Sequence, residues 1–282
     1  MKHVALLLAG LLCAAPAFAE KAWAQEAPPL RTAVDGTFPP HAFPKLGGGY
    51  EGFNIDLAEE IAKRLKRKIT IDAMQFSGIV PALQAGTLDF SSAPVTVTKE
   101  RAENMLFTEG YLNTDFQFLI KKGAPKVEKL EDLKGKIVSV NKGSAYDSWA
   151  RDLEAKIGWK VESFGTQTDA VQAVLAGRAD TNVAGDTGIA WAVKNNPQLE
   201  LSYRYSTGLV WGAAFRKDSD ALRKQVENAI ECMKLDGTIA KLHEKWMGVK
   251  PPAGSAAVTV FPGYGVPAMA GYDPTEHKPE CN

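Results

Sequence analysis

The stretch SAPVTVTKER, residues 92 to 101, begins as an apolar strand pattern and ends on an arginine. The planar fork of Arg101 can grip both oxygens of a carboxylate, which a lysine ammonium cannot do. The same spacing also suits a surface arginine paired with Glu100 or Glu103, a contact worth little. A second chemically apt stretch is KGSAYDSW, 142 to 149, which reads as a glycine turn and a helix opening at Ser144. Such an opening offers backbone N–H groups to an anion, and Ser144 can equally act as that helix's cap.

Other chemistries find little support. There is no Ser-His-Asp or Cys-His motif in a supporting context, no zinc-ligand spacing and no phosphate-binding glycine loop. The four histidines are scattered, and His41 suits a ligand contact or simple packing equally. GGGY, 47 to 50, has neither the lysine nor the helix of a phosphate loop and reads as a hairpin turn. No cofactor is expected.

The chain's ends set the compartment. Residues 1–19, MKHVALLLAGLLCAAPAFA, have a basic start, a short apolar run and a small-residue finish, the plan of a secretory signal peptide. Cleavage after Ala19 or after Ala24 fits, and Leu12 before Cys13 argues against lipidation. A soluble mature protein in a periplasm or outside the cell is expected. The whole chain has 33 basic and 33 acidic residues, so losing Lys2 leaves 32 against 33 and a net charge of minus one. That balance gives no electrostatic case for nucleic acid. With Cys13 removed, Cys232 and Cys281 remain, and an oxidising compartment favours a disulfide between them.

These residues need a scaffold, and the periodicity supplies an α/β one. Leu30 to Val34, Ile69 to Ile71 and Leu88 to Ser91 read as strands, with helices at Phe53 to Leu65 and Ile79 to Gln84. After a polar Lys-rich connection over Val127 to Leu133 the pattern restarts. Strands are expected at Lys136 to Val140 and Thr181 to Ala184, and helices at Asp147 to Ile157 and from a Thr168 cap to Ala176. Phe116 to Ile120 and Leu209 to Phe215 read as two crossing strands that make a hinge. Two α/β lobes follow: 27–117 with 209–248, and 118–208, trailed by a Pro/Gly-rich tail at 249–282.

At this point a resemblance becomes specific. VDGTFPPHAF, GFNIDLAEEIAKRL, QFSGIVPALQAGTLDF, VTVTKERAENMLFTEGY, LKGKIVSVNKGSAYDSW, GRADTNVAGD and CMKLDGTIAKLHEKW occur in the order seen in the solute-binding proteins of polar amino acid ABC transporters. The resemblance implies the type II periplasmic-binding-protein fold and a monomer that closes on an amino acid and delivers it to a membrane permease. It makes Arg101 the carboxylate grip, with Thr96 and Ser144 as added donors. Asp186 takes the place of the ammonium-binding acid, Phe38 and Phe76 the place of rings around the ligand, and Asp35 the place of a contact to its side chain. The ligand implied is polar or basic: glutamine, arginine, lysine or histidine.

There are departures. Pro94 stands where relatives offer a backbone N–H, which proline lacks. Asn141 stands where a glutamine-binding relative has lysine. One extra residue separates Asp180 from Asp186, which a bulge beside Gly185 could absorb. Two other readings share the fold: a cyclohexadienyl dehydratase, with Glu109 as the nearest candidate acid, and a degenerate binder acting through a protein partner. The tail is expected to fold back along the first lobe, stapled through Cys281 to the helix of Cys232.

Overall fold

The computed structural model describes residues 27–281; the expected signal peptide lies outside them. In chain order the elements are β1 (Leu30–Val34), β2 (Phe43–Pro44), β3 (Tyr50–Glu51), α1 (Phe53–Arg64), β4 (Ile69–Ala73), α2 (Phe76–Gln84), β5 (Ser91–Thr96), α3 (Lys99–Asn104), β6 (Leu106–Phe107) and β7 (Leu112–Lys121). The chain continues through β8 (Ile137–Asn141), α4 (Ala145–Ile157), β9 (Lys160–Phe164), α5 (Gln167–Leu175), β10 (Thr181–Gly185), α6 (Asp186–Lys194), β11 (Leu199–Phe215), α7 (Asp220–Leu235) and α8 (Thr238–Met247). No helix among the described residues is long and apolar enough to cross a membrane.

The architecture is two α/β lobes sharing two long strands. β1 and β4 run parallel in one lobe, and β8 pairs in parallel with β9 and β10 in the other. β7 and β11 connect them as an antiparallel pair, from Leu199↔Lys121 to Trp211↔Leu112. Beyond that pair β11 continues onto β5 and β6. Both crossing strands exceed the expected lengths, β11 starting ten residues before Leu209. Its pairing with β7 shifts register twice, between Leu201 and Arg204 and between Tyr205 and Leu209, at the crossing itself. Such irregularities bend a strand where a hinge is needed.

Local chemistry accounts for most elements. In α1, Phe53, Leu57 and Ile61 lie on one face and are fully buried, each contributing about 1.5–3 kcal/mol. Gly47, Gly48 and Gly49 all hold positive φ, which makes the turn that joins β2 to β3. Several boundaries differ from expectation: α2 begins at Phe76 rather than Ile79 and α4 at Ala145 rather than Asp147, and two further differences have a local reason. β5 spans Ser91–Thr96 rather than the expected Leu88 to Ser91, because ladder pairing with β11 starts only at Ser91. Thr166, not Thr168, caps α5, its hydroxyl accepting from Asp169 N.

The tail lies along the first lobe and is bound to it in three ways. Cys232 and Cys281 form a disulfide. Lys234 Nζ donates to Thr259 O, and Phe261 N donates to Glu109 Oε2 at 2.7 Å. The Tyr264 ring stacks on His277, whose Nε2 meets Glu231. Closing a loop across a sequence separation of 49 residues is worth about 4 kcal/mol at most by chain entropy. Replacing both cysteines by serine should therefore lower unfolding free energy by about 2–4 kcal/mol, measured by urea denaturation. A loss below about 0.5 kcal/mol would mean that the non-covalent contacts alone hold the tail.

Candidate functional site

The site forms where the C-terminal ends of β1 and β8 face each other across the lobes. Asp35, just after β1, accepts at Oδ1 from Thr37 N and Thr37 Oγ1, and at Oδ2 from Asn141 Nδ2 at 2.7 Å. Asn141 is the last residue of β8, so this bond joins the lobes. Its Oδ1 is buried and has no partner among the described residues. Burial is the first cause that raises the Asp35 carboxyl above its ordinary pKa; bonds from Thr37 and Asn141 oppose it.

The cavity between the lobes, closed down to about 10 Å³, is lined by Asp35, Phe38, Phe76, Thr96, Ser144 and Tyr146, with Pro94, Asn141, Ala145 and Trp211 completing the wall. Five of the seven residues expected in a ligand site thus come together. Trp211 Nε1 donates to Thr96 Oγ1, fixing that hydroxyl as an acceptor there. Ser144 caps α4, its Oγ accepting from Asp147 N at 3.0 Å, which is the second of its two expected roles.

Arg101 does not line this cavity but stands at its edge, against Phe76 and Thr96, which do. Its guanidinium lies over the Phe76 ring, 5.6 Å from the centroid, and donates to Thr96 O and, across the cleft, to Gly143 O. Both acceptors are neutral carbonyls, and Arg101 forms no ion pair among the described residues. Burial pushes its pKa down to about 10, with Tyr146 and Glu100 opposing the shift. The group keeps its charge at neutral pH, so a cation with no acidic partner is held beside a closed cavity.

Asp186 is not brought to the cavity. The β10–β7 ladder runs unbroken from Thr181↔Ile120 to Gly185↔Phe116, so no bulge absorbs the extra residue. In a strand, one residue of displacement turns a side chain to the other face. Asp186 instead opens α6 and accepts from Arg204 Nη2 at 2.8 Å on the border of a different, larger groove. The Trp211 ring presses against Gly185, where a Cβ would come within 2.4 Å of it. Glu109 is also elsewhere, buried against Lys234.

Sequence reading missed Trp211 and Tyr146 as pocket walls. Trp211 sits in LVWGAAF, which reads as hinge strand, and only the crossing of β11 over the cleft turns its ring inward. Tyr146, two residues past the Ser144 cap, is raised in pKa by burial first and by the charge of Asp35 second.

Behind the cavity His41 ties the lobes. Asn54 Nδ2 donates to Ser92 O and Tyr111 Oη, which leaves Asn54 Oδ1 to accept from His41 Nδ1 at 2.9 Å. His41 Nε2 then accepts from Thr187 Oγ1 of α6 at 2.7 Å. The imidazole stacks on Phe38 and meets Trp211 edge-on, with Phe53 and His243 nearby. Burial pushes its pKa down to about 4 from 6.5. The unfolded chain thus takes the proton first, and this contribution to stability is lost as pH falls from 6.5 through 4. Glu227, raised from 4.5 to about 7, acts oppositely, costing stability as pH rises through that window. The His41 effect is therefore isolated as a difference: His41→Gln should remove stability loss between pH 6.5 and 4 relative to wild type, by urea unfolding. Parallel pH profiles would refute it.

The lobes are thus closed on each other, through Asp35–Asn141, Arg101–Gly143 and His41–Thr187, with Thr37 also meeting Gln167 and Thr168. Residues 30–249 match the family model described as bacterial extracellular solute-binding proteins, family 3. The chain belongs to that family. This family 3 protein is 29% identical to the L-arginine-binding protein of Pseudomonas aeruginosa over 259 residues, 87% of this chain and 96% of the other. Among solved structures it is similar to an ancestral arginine-binding protein bound to arginine, with a TM-score of 0.74, 37% identity, and coverage of 77% of this chain and 97% of that one. It is also similar to an ancestral amino acid-binding protein described as a precursor of cyclohexadienyl dehydratase, with a TM-score of 0.72, 33% identity, and coverage of 77% and 95%. The family 3 protein thus has a solute-binding role.

Proposed function

We propose that the protein captures a polar or basic amino acid in the periplasm, closes its lobes over it and presents the closed form to an ABC transporter permease. The observation that carries this reading is Arg101, a cation without an acidic partner among the described residues, at the edge of the cavity that Asp35 and Asn141 line. The arginine supplies a bidentate grip for an α-carboxylate. Asp35 and the unpartnered Oδ1 of Asn141 supply acceptors for an ammonium or a basic or amide side chain. The rings of Phe38, Phe76, Tyr146 and Trp211 exclude water and strengthen those contacts. In the closed form these polar groups bond one another across the cleft, so opening about β7 and β11 must precede entry.

The relatives' names point the same way, toward arginine. With Asp186 held by Arg204 outside the cavity, Asp35 is the acid lining it, and it has to serve whatever cation the ligand brings. The dehydratase reading needs a proton donor in the cavity; Glu109 is not there, and Asp35 is the carboxyl that would have to serve.

The test is a thermal-shift screen of ligand-stripped mature protein against the standard amino acids, prephenate and arogenate. A ligand at 100 times its dissociation constant should add about 2.7 kcal/mol of stability. A large shift with one polar or basic amino acid is expected. A shift with prephenate or arogenate alone would move the reading to the enzyme, and no shift with any compound would remove the amino acid reading.

A further inference from the structure

Among the described residues that line the interlobe cavity, Asp35 is the one acid, and no basic side chain lines it. Arg101 at its edge is bonded only to the carbonyls of Thr96 and Gly143, so its charge is free to meet a ligand. The neighbouring charges are engaged elsewhere. Asp147, in the first turn of α4, accepts from Arg151 Nε and Ser163 Oγ at Oδ1 and from Gly143 N at Oδ2. Glu100 and Lys142 are exposed, where solvent screens them. His41 behind the cavity, its pKa pushed down to about 4, is uncharged at neutral pH.

The end of β10 adds no second acid. The β10–β7 ladder leaves Asp186 to open α6, bonded to Arg204, and the Trp211 ring occupies the space that a side chain at Gly185 would need. That facing is set inside the second lobe, while Asp35 and Arg101 both belong to the first. Opening about β7 and β11 therefore widens the cavity without changing its charges. Whatever enters meets one cation and one acid.

Resting on the reading above that Arg101 takes a ligand carboxylate, we infer that the solute carries one carboxylate, one cationic group and no net charge. The carboxylate meets Arg101, and the cation meets Asp35 with the unpartnered Oδ1 of Asn141 as a second acceptor. A charge buried without a partner is costly, so a solute with one charge more is disfavoured. Arginine and lysine each bring a second cation, and glutamate brings a second carboxylate. An amino acid with an uncharged side chain fits, and so does a guanidino acid that lacks the α-ammonium.

Titration calorimetry at neutral pH on ligand-stripped mature protein compares glutamine, glutamate, lysine, arginine, citrulline and δ-guanidinovalerate. Citrulline is arginine without the guanidinium charge, and δ-guanidinovalerate is arginine without the α-ammonium. Arginine should bind at least about tenfold more weakly than the tighter of these two analogues. Tighter binding of citrulline would assign the α-ammonium to Asp35, and tighter binding of δ-guanidinovalerate the guanidinium. Asn141→Asp, which adds an acid beside Asp35, should raise the affinity for arginine relative to citrulline by about tenfold, while Asp186→Asn leaves that ratio unaltered. A tightest ligand with net charge would overturn the inference and leave amino acid binding standing. An unchanged ratio in Asn141→Asp would also overturn it, as would a selective loss of arginine in Asp186→Asn. So would no binding by any of the six; the amino acid reading falls with it only if the thermal-shift screen is empty as well.

Discussion

Replacing Arg101 by methionine should weaken amino acid binding by about 2–5 kcal/mol, that is by about 30-fold to several thousandfold. The same change should leave the stability of the protein without ligand unaltered or increase it. The two effects have opposite signs for one reason. In the closed form the guanidinium bonds only the carbonyls of Thr96 and Gly143, and burial works against its charge. The cation is a burden there and is compensated only when a carboxylate arrives. Titration calorimetry with the ligand found by thermal shift reads the first effect, and urea unfolding without ligand reads the second. An affinity within about twofold of wild type would end the assignment of Arg101 as the carboxylate grip. A matched loss of stability would make it a structural residue instead.

The largest effect on stability is expected at Lys234. Its Nζ bonds Glu109 Oε1 at 2.5 Å, Gly110 O at 2.7 Å and Thr259 O at 2.8 Å, and both charged side chains are fully buried. Burial lowers the pKa of Lys234 and raises that of Glu109, while their attraction opposes both shifts. Glu227 and Glu231 lie close enough to add to the negative charge around the ammonium. Lys234→Met strands that charge, and the cost should be about 3–5 kcal/mol. Paired with Glu109→Gln, the same substitution should cost distinctly less, because no bare carboxylate is left behind. Urea unfolding of the two single variants and the double variant gives the coupling directly. Additive losses would show that the pair does not act as a unit. Because Lys234 also holds Thr259 of the tail, the Lys234→Met variant should release the tail to proteolysis sooner than wild type.

Residue patterns close together in sequence determined a good deal of this protein. The 3.6-residue spacing of Leu57 and Ile61, the glycine turn at 47–49 and the cap at Ser144 each specify local structure through contacts a few residues long, and those elements form where expected. Cys232 and Cys281 could be matched because only two cysteines follow the expected signal segment, and the compartment favours joining them. Arg101 stood out through its chemistry and its place after an apolar strand. Tertiary structure alone decided which side chains share a cavity. Asp35 and Asn141 are 106 residues apart and meet only because two separate parallel strands end at the same cleft. Trp211 enters because β11 crosses from one lobe to the other, and no local pattern encodes the crossing point. Asp186 is kept out because the β10–β7 ladder holds its register to Gly185. Whether an added residue becomes a bulge or a reversal of facing depends on the energy of the whole ladder, which neighbours in sequence do not carry.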